Sequence, residues 1–280
     1  MWQHLPEKIS PIAFNLGPIE ISWYGIMYLV AFCIVYYLVR YRIKSEKLGI
    51  NFEIVQDFYP WAIIGLLLGA RLGDVFIYDW SYFQNHLSQI FLPFDIYNHW
   101  QYIGIYGMSY FGGLIGVIIA FYIFCRLKKI MLLEFSDLFA PAVPLAFTFG
   151  RLGNFINGEL WGRATTKFWG MYFPSDYTGQ LRHPSQLYEA FLEGILLFLI
   201  LWSIRKNKFP IGYLTAFYLI GYGLARFTVE FFREPDNGWF LWSLTFGQIL
   251  SLAIIIFGLF ILARKSETPS RGKDGVLERT

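Results

Sequence analysis

Residues 21–39 read ISWYGIMYLVAFCIVYYLV, an apolar run without a charge, and Arg40-Tyr41-Arg42-Ile43-Lys44 follows it directly. A helix that crosses the hydrocarbon core needs about 20 mostly apolar residues, and this run supplies them. The stretch before it does not read as a secretory signal. Lys8 is isolated, Pro6, Pro11 and Pro18 break any helix, and no small-residue cleavage site follows the run. The run is therefore expected to stay in the chain as a transmembrane helix.

Working outward, six more segments have this character. Ile54–Tyr78 carries Asp57, Arg71 and Asp74, and Ile105–Cys125 is uncharged. Phe135–Gly150 holds Asp137 and is helix-disfavouring at Pro141 and Pro144. Leu187–Ile204 holds Glu189 and Glu193, Phe209–Ala225 is uncharged and runs into Arg226, and Trp239–Ala263 is uncharged. The expected fold is all-α: a polytopic membrane protein of about seven transmembrane helices with a small extracytoplasmic loop region.

Composition agrees. The chain has 280 residues, 56% hydrophobic and 15% charged, where soluble domains carry roughly a quarter charged residues. Its 10 Trp and 19 Tyr suit the membrane–water interface. A net charge of +3, clustered in short loops, gives no basis for a nucleic-acid partner. Cys33 and Cys125 each lie in an apolar run and read as packed thiols. His4, His86, His99 and His183 are scattered and no metal-binding motif occurs, so neither a metal nor a cofactor is expected.

The basic residues orient the chain. Arg40, Arg42, Lys44 and Lys47 follow the first segment, and Arg126, Lys128 and Lys129 follow the third. Arg205, Lys206 and Lys208 follow the fifth, and Arg264, Lys265, Arg271, Lys273 and Arg279 follow the seventh. All four stretches fall on one side, which the positive-inside rule makes cytoplasmic. One domain, 1–280, is expected: an extracytoplasmic N-terminal segment at 1–20, a helix bundle at 21–263 and a polar cytoplasmic tail at 264–280. The N-terminus then faces outward in a multi-pass protein of the cytoplasmic membrane.

Five clusters carry chemistry. Gly150-Arg151-Leu152-Gly153-Asn154-Phe155-Ile156-Asn157-Gly158-Glu159-Leu160-Trp161-Gly162-Arg163 follows an apolar helix and is read as opening an outward loop, Arg151–His183. Arginine forks suit phosphate and glycines allow close backbone approach, so the cluster suggests a phosphate-bearing ligand at headgroup depth. A charged interfacial loop is the plainer alternative. Tyr222, Arg226, Glu230 and Arg233 share one helical face, which must look into the bundle or a cavity; a packing ion pair is the alternative. His183-Pro184-Ser185-Gln186-Leu187-Tyr188-Glu189 opens the fifth helix, with Ser185 as its expected cap. Ser109-Tyr110-Phe111-Gly112-Gly113-Leu114-Ile115-Gly116 offers small residues for helix packing. Gly69-Ala70-Arg71-Leu72-Gly73-Asp74 sets a cation and an anion three apart, either a structural pair or part of a site.

These blocks resemble the bacterial prolipoprotein diacylglyceryl transferase family. The long block from Gly150 to Arg163 is similar to its signature, and the resemblance extends in order through Trp23-Tyr24-Gly25, the Gly69, Gly112 and His183 blocks, and Arg226-Phe227-Thr228-Val229-Glu230-Phe231-Phe232-Arg233. The resemblance implies transfer of diacylglyceryl from phosphatidylglycerol to the lipobox cysteine of a prolipoprotein. The products would be a thioether and glycerol phosphate. It implies that Arg151 and Arg226 are essential and that Tyr24, Asn154, Glu159, Gly162, Tyr222 and Glu230 matter. We take Arg151, Arg226, Glu159 and Tyr24 as the catalytic candidates. Arg151, Asn154, Asn157, Gly162, Arg163, Arg71, His183, Tyr222, Glu230 and Arg233 are the substrate-binding candidates. The implied partners are phosphatidylglycerol, the lipobox peptide and membrane lipids. Many members carry a histidine just before the Gly-Gly-Leu-Ile-Gly run, proposed as the base; here Phe111 stands there and cannot accept a proton. Tyr110, Glu159 and His183 are the alternatives. A lipid or anion transporter is the competing class, although no internal repeat is seen.

Overall fold

The computed structural model describes residues 2–17, 19–92, 94–95, 101–102, 107–235, 240–241 and 243–264. His99, Trp239, the tip of the Arg233–Gly238 turn and the tail from 265 onward lie outside them.

A hairpin of β1 (Ile12–Leu16) and β2 (Ile19–Ser22) leads into the first long helix. The helices are α1 (Trp23–Glu46), α2 (Phe52–Gly73, with a π-helical turn through Tyr78), α3 (Tyr110–Lys128), α4 (Leu132–Phe139) and α5 (Val143–Ile156). They continue with α6 (Ser185–Ile204), α7 (Tyr213–Val229) and α8 (Phe246–Ala263). Local chemistry sets the starts. Ser22 Oγ accepts the N–H of Gly25 at 3.2 Å, Asn51 Oδ1 accepts that of Glu53 at 3.0 Å, and Ser109 Oγ accepts that of Gly112 at 3.1 Å. Thr245 and Gln248 cap α8 reciprocally. Hence α3 and α8 begin at Tyr110 and Phe246, after the expected Ile105 and Trp239.

Three further departures have physical causes. Phe135–Gly150 is not one rod: α4 and α5 meet at a 58° bend near Pro141, with Pro144 in the first turn of α5. The helix then continues past Gly150 to Ile156, so Arg151 and Asn154 sit on α5 and not in the loop where the sequence placed them. Their side chains find internal partners, so no charge forces the helix to end. Ser185 does not cap α6; its hydroxyl donates to Leu160 O at 3.0 Å.

Among the described residues, five helices are long and apolar enough to cross a bilayer: α1, α2 with its π turn, α3, α6 and α8; the bent α4–α5 pair makes a sixth. α7, at 17 residues, falls short by length, so the expected seven is not reached on length and composition. With this many apolar spans the chain is a multi-pass membrane protein.

The chain divides into two compact units, Ile50–Leu132 and the remainder. In the first, α2 and α3 pack through glycines. A Cβ on Gly69 would strike the Gly112 carbonyl, and one on Gly116 would strike the Gly65 carbonyl. Small residues at such seams let membrane helices approach closely. Arg71, buried, reaches into the loop after α2: Nε donates to Ile90 O at 2.7 Å and Nη2 to Gln89 O at 2.8 Å, with Asp74 Oδ2 at 3.6 Å from Nη1. This is the geometry of a loop anchor. Phe111 lies on α3 and is 42% exposed.

In the second unit, α1 packs on α5 with the Tyr24 ring against Gly153, and α7 packs on α8 with Ser251 against Gly223. Charges cluster at one level here. Arg42 donates to the carbonyls of Asp137 and Leu138 at 2.8 and 2.7 Å, and Glu46 takes both Arg42 and Arg205 at 3.0 and 2.9 Å. The Asp137 carboxylate accepts the N–H groups of Gly212 and Thr215 and the Thr215 hydroxyl at 2.6, 2.7 and 2.6 Å. α7 has no side-chain cap of its own, and Asp137 supplies one from α4.

Candidate active site

Three guanidinium groups meet at one buried carboxylate. Arg151, in the last turns of α5, places Nε 2.6 Å from Glu189 Oε2. Arg226, near the end of α7, places Nη1 2.6 Å from Glu189 Oε1. Arg233, just past α7, has Nε 3.7 Å from the same Oε1. The Glu189 side chain is 1% exposed. Arg226 also meets Glu230 at 3.2 Å, and Thr245 Oγ1 donates to the other Glu230 oxygen at 2.9 Å. A side chain on Gly247 would collide with the Glu230 carboxylate, so the start of α8 closes over that residue.

A second chain of contacts runs from Arg151 outward. Its Nη1 donates to Asn154 Oδ1 at 3.1 Å, and Asn154 Nδ2 donates to Glu159 Oε1 at 2.8 Å. Gln186 Nε2 then holds the Glu159 backbone carbonyl at 2.6 Å. The Arg151 guanidinium also lies over the Phe147 ring, 4.7 Å from its centre, and Phe147 meets Tyr222 edge-on. Tyr24 stands beside this helix, and its hydroxyl donates to that of Tyr28 at 3.1 Å. Asn157 closes α5 through its backbone, and its side-chain Oδ1 is buried.

The rim is built from backbone. Gly162 N–H donates to His183 O at 2.8 Å, His183 N–H to Arg163 O at 3.0 Å, and Arg163 N–H to Phe232 O at 2.8 Å. Arg163 Nε adds a bond to Arg233 O at 3.0 Å. A Cβ on Gly162 would run into Phe232 O and His183. Gly162 therefore lets three segments close on one another. The His183 ring lies between Tyr188 and Phe232, with Nδ1 3.0 Å from the Tyr188 hydroxyl. Burial, and then the nearby Lys167, hold its pKa below the ordinary 6.5, so the imidazole is neutral at neutral pH.

The loop from Asn157 to Pro184 is tied down outside the membrane helices. Arg182 grips Asp176 at 2.6 Å, reaches Glu234 at 3.3 Å and stacks 4.2 Å over Trp161. Burial raises the Asp176 pKa, but the Arg182 and Thr178 hydrogen bonds outweigh it and bring it down to about 2. Trp161 Nε1 donates to Ser175 Oγ at 2.9 Å, and that hydroxyl donates to Gly158 O.

Of the expected residues, Arg151, Asn154, Glu159, Arg226, Glu230 and Arg233 form one contiguous network, with Tyr24 and Tyr222 at its edge. Gly162, Arg163 and His183 form the rim. Arg71 belongs to the other unit. Glu189, Gln186 and Glu193 were absent from the expected site, yet Glu189 is its centre. The signal was present: two acidic residues one turn apart in an otherwise apolar span.

The family model described as prolipoprotein diacylglyceryl transferase matches residues 11–264. A phosphatidylglycerol–prolipoprotein diacylglyceryl transferase of Chlorobaculum tepidum is 51% identical over 264 residues, 93% of this chain and 91% of that protein. A like-named protein of Campylobacter lari is 44% identical, over 93% of this chain and 95% of that one. Another from Bordetella avium is 43% identical, over 94% and 97%.

Proposed function

The chain belongs to the prolipoprotein diacylglyceryl transferase family, and from that premise we propose that it moves a diacylglyceryl group from phosphatidylglycerol to the lipobox cysteine thiol of a prolipoprotein. The observation that carries this reading is the meeting of Arg151, Arg226 and Arg233 at Glu189, between helices that are otherwise apolar. Such charge is costly in a bilayer and is retained where it does chemistry.

In the reaction the cysteine sulfur attacks the glyceryl carbon that bears the phosphodiester. A C–S bond forms, the C–O bond breaks, and its electron pair stays on the phosphate oxygen, so glycerol phosphate leaves. The thiolate is the nucleophile, and a free thiol near pKa 8.5 is mostly protonated at neutral pH. His183, neutral at the rim, is the base we favour; the thiol proton passes to its ring. Arg151 and Arg226 offset the charge that builds on the departing phosphate, an effect worth several kcal/mol in a water-poor site. Glu189 holds both guanidiniums in place before the lipid arrives. Glu159 acts through Asn154 to fix Arg151. Tyr24, Asn157, Arg163, Tyr222, Glu230 and Arg233 complete the binding surface.

The chain works as one membrane domain with the N-terminus outside and the C-terminus in the cytoplasm, supported by the basic residues after α1, α3, α6 and α8. Incubating the purified protein with phosphatidylglycerol and a lipobox-cysteine peptide is the test. A thioether-linked peptide and free glycerol phosphate are expected. Lipid movement across vesicles without either product would turn the reading toward a transporter.

A further inference from the structure

One buried acid has no place in the mechanism above. Glu193 lies in the π-helical stretch Ala190–Leu196 of α6, with its side chain 0% exposed. Neither carboxylate oxygen has a hydrogen-bond donor among the described residues. Its closest cation, Arg226 Nη1, is 3.9 Å away and turned to Glu189 at 2.6 Å. The position is fixed from outside. Thr148 of α5 donates to Ala190 O at 3.3 Å, and a side chain on Gly194 would strike the Thr148 hydroxyl. The widened turn is thus packed closely against α5.

The charges around it can be counted. Arg151 faces it from α5, Arg226 from α7, Arg233 from just past α7, and Glu189 from the preceding turn of α6. Glu230 and Tyr222 face Arg226. Counting only acids without an intervening residue, and with each ionised, Arg151, Arg226 and Arg233 balance Glu189, Glu193 and Glu230; Glu159 is reached only through Asn154. A phosphodiester settling on Arg151 and Arg226 adds one negative charge. An uncompensated charge in a water-poor space is strongly disfavoured, and such a site sheds it by binding a proton. Glu189 is held by three guanidiniums, and Glu230 by Arg226 and Thr245. Glu193 is the acid with least to lose.

We propose that Glu193 is the proton-holding residue of the site: it takes up one proton when the lipid phosphate settles on Arg151 and Arg226, and returns it when the phosphate leaves. This rests on the phosphate-binding reading given above. Uptake makes anionic lipid bind more tightly as pH falls, by up to tenfold per pH unit wherever Glu193 is ionised in the lipid-free protein.

Calorimetric titration of the purified protein with short-chain phosphatidylglycerol, in two buffers of different ionisation enthalpy, counts the protons. Run at a series of pH values, the titration should show uptake by the parent rising to about one proton on the alkaline side, where Glu193 is ionised before lipid arrives, and about none at any pH by Glu193→Gln, whose dissociation constant should be flat with pH. Glu193→Asp should retain the uptake. Binding by the parent without proton uptake anywhere in the series overturns the proposal and leaves the phosphate reading standing. Undiminished uptake in a folded Glu193→Gln overturns it too. No binding at any pH overturns the phosphate reading, and the proposal with it. The count on the parent decides the matter even if a variant does not fold.

Discussion

The Asp137 carboxylate accepts the backbone N–H of Thr215 at 2.7 Å, closing the start of a helix it does not belong to. The same group takes Gly212 N–H and the Thr215 hydroxyl. Asp137→Ala should leave these donors buried and unpaired, at a cost of about 2 kcal/mol or more. Thermal unfolding in detergent should show a clear fall in Tm, with Asp137→Asn in between. An unchanged Tm for the alanine variant would mean that α7 is held by packing alone.

Arg151→Lys and Arg226→Lys should each lower turnover by about 100-fold or more while the protein still inserts, since a point charge replaces a planar fork in a charge-stabilising position. Each arginine uses several of its donors at once: Arg151 toward Glu189 and Asn154, Arg226 toward Glu189 and Glu230. Turnover of purified variants, with membrane insertion as the control, checks this. Near-parental rates in both would remove the phosphate-clamp role.

The base and the orienting acid separate on pH. His183→Gln should lower turnover by about 100-fold at neutral pH and recover with alkali, because the peptide thiol then ionises unaided near pH 8.5. Glu159→Gln should lose activity equally across the pH range, since Glu159 meets Asn154 and acts through it on Arg151. Phe111→Leu should keep most activity, as its half-exposed ring offers no proton and only apolar bulk. A dead Phe111→Leu beside parental His183→Gln and Glu159→Gln would place the base elsewhere.

Asp176 gives a pH window for stability. Its folded pKa of about 2 lies below the ordinary 3.8, so the Asp176–Arg182 pair stabilises the fold above 3.8, and this contribution disappears as pH falls through that interval. Asp176→Asn should therefore be less stable than the parent at neutral pH, with the gap closing near pH 2. A gap that stays constant down to pH 2 would contradict the assignment.

Sequence carried the apolar spans well, because length without charge is a bulk property of a segment. Helical spacing also placed Arg226, Glu230 and Arg233 near one another, although α7 ends at Val229 and Arg233 comes to Glu189 from beyond the helix, not from its face. Sequence noted Glu189 within the His183 block but did not make it a site candidate, for its central place arises only when Arg151, 38 positions earlier, and Arg226, 37 positions later, fold onto it. It ended the fourth helix at Gly150 because Arg151 looks like a loop residue until its partners are seen. Arg71 shows what a motif leaves out: among its partners are the Gln89 and Ile90 carbonyls of the following loop, which no spacing rule announces. Ser185 shows the limit of local rules, for a serine at a helix start can donate sideways to Leu160 O instead of capping.

The glycine seam between α2 and α3 bears on how that unit behaves once extracted. Lipid tails and detergent tails are equally oily, so the seam draws little strength from hiding apolar surface; it rests on matched shape. Glycine has no rotamers to freeze, so closing the seam sacrifices no side-chain freedom. Such a joint should be indifferent to the amphiphile around it and intolerant of a single methyl group at Gly69 or Gly116.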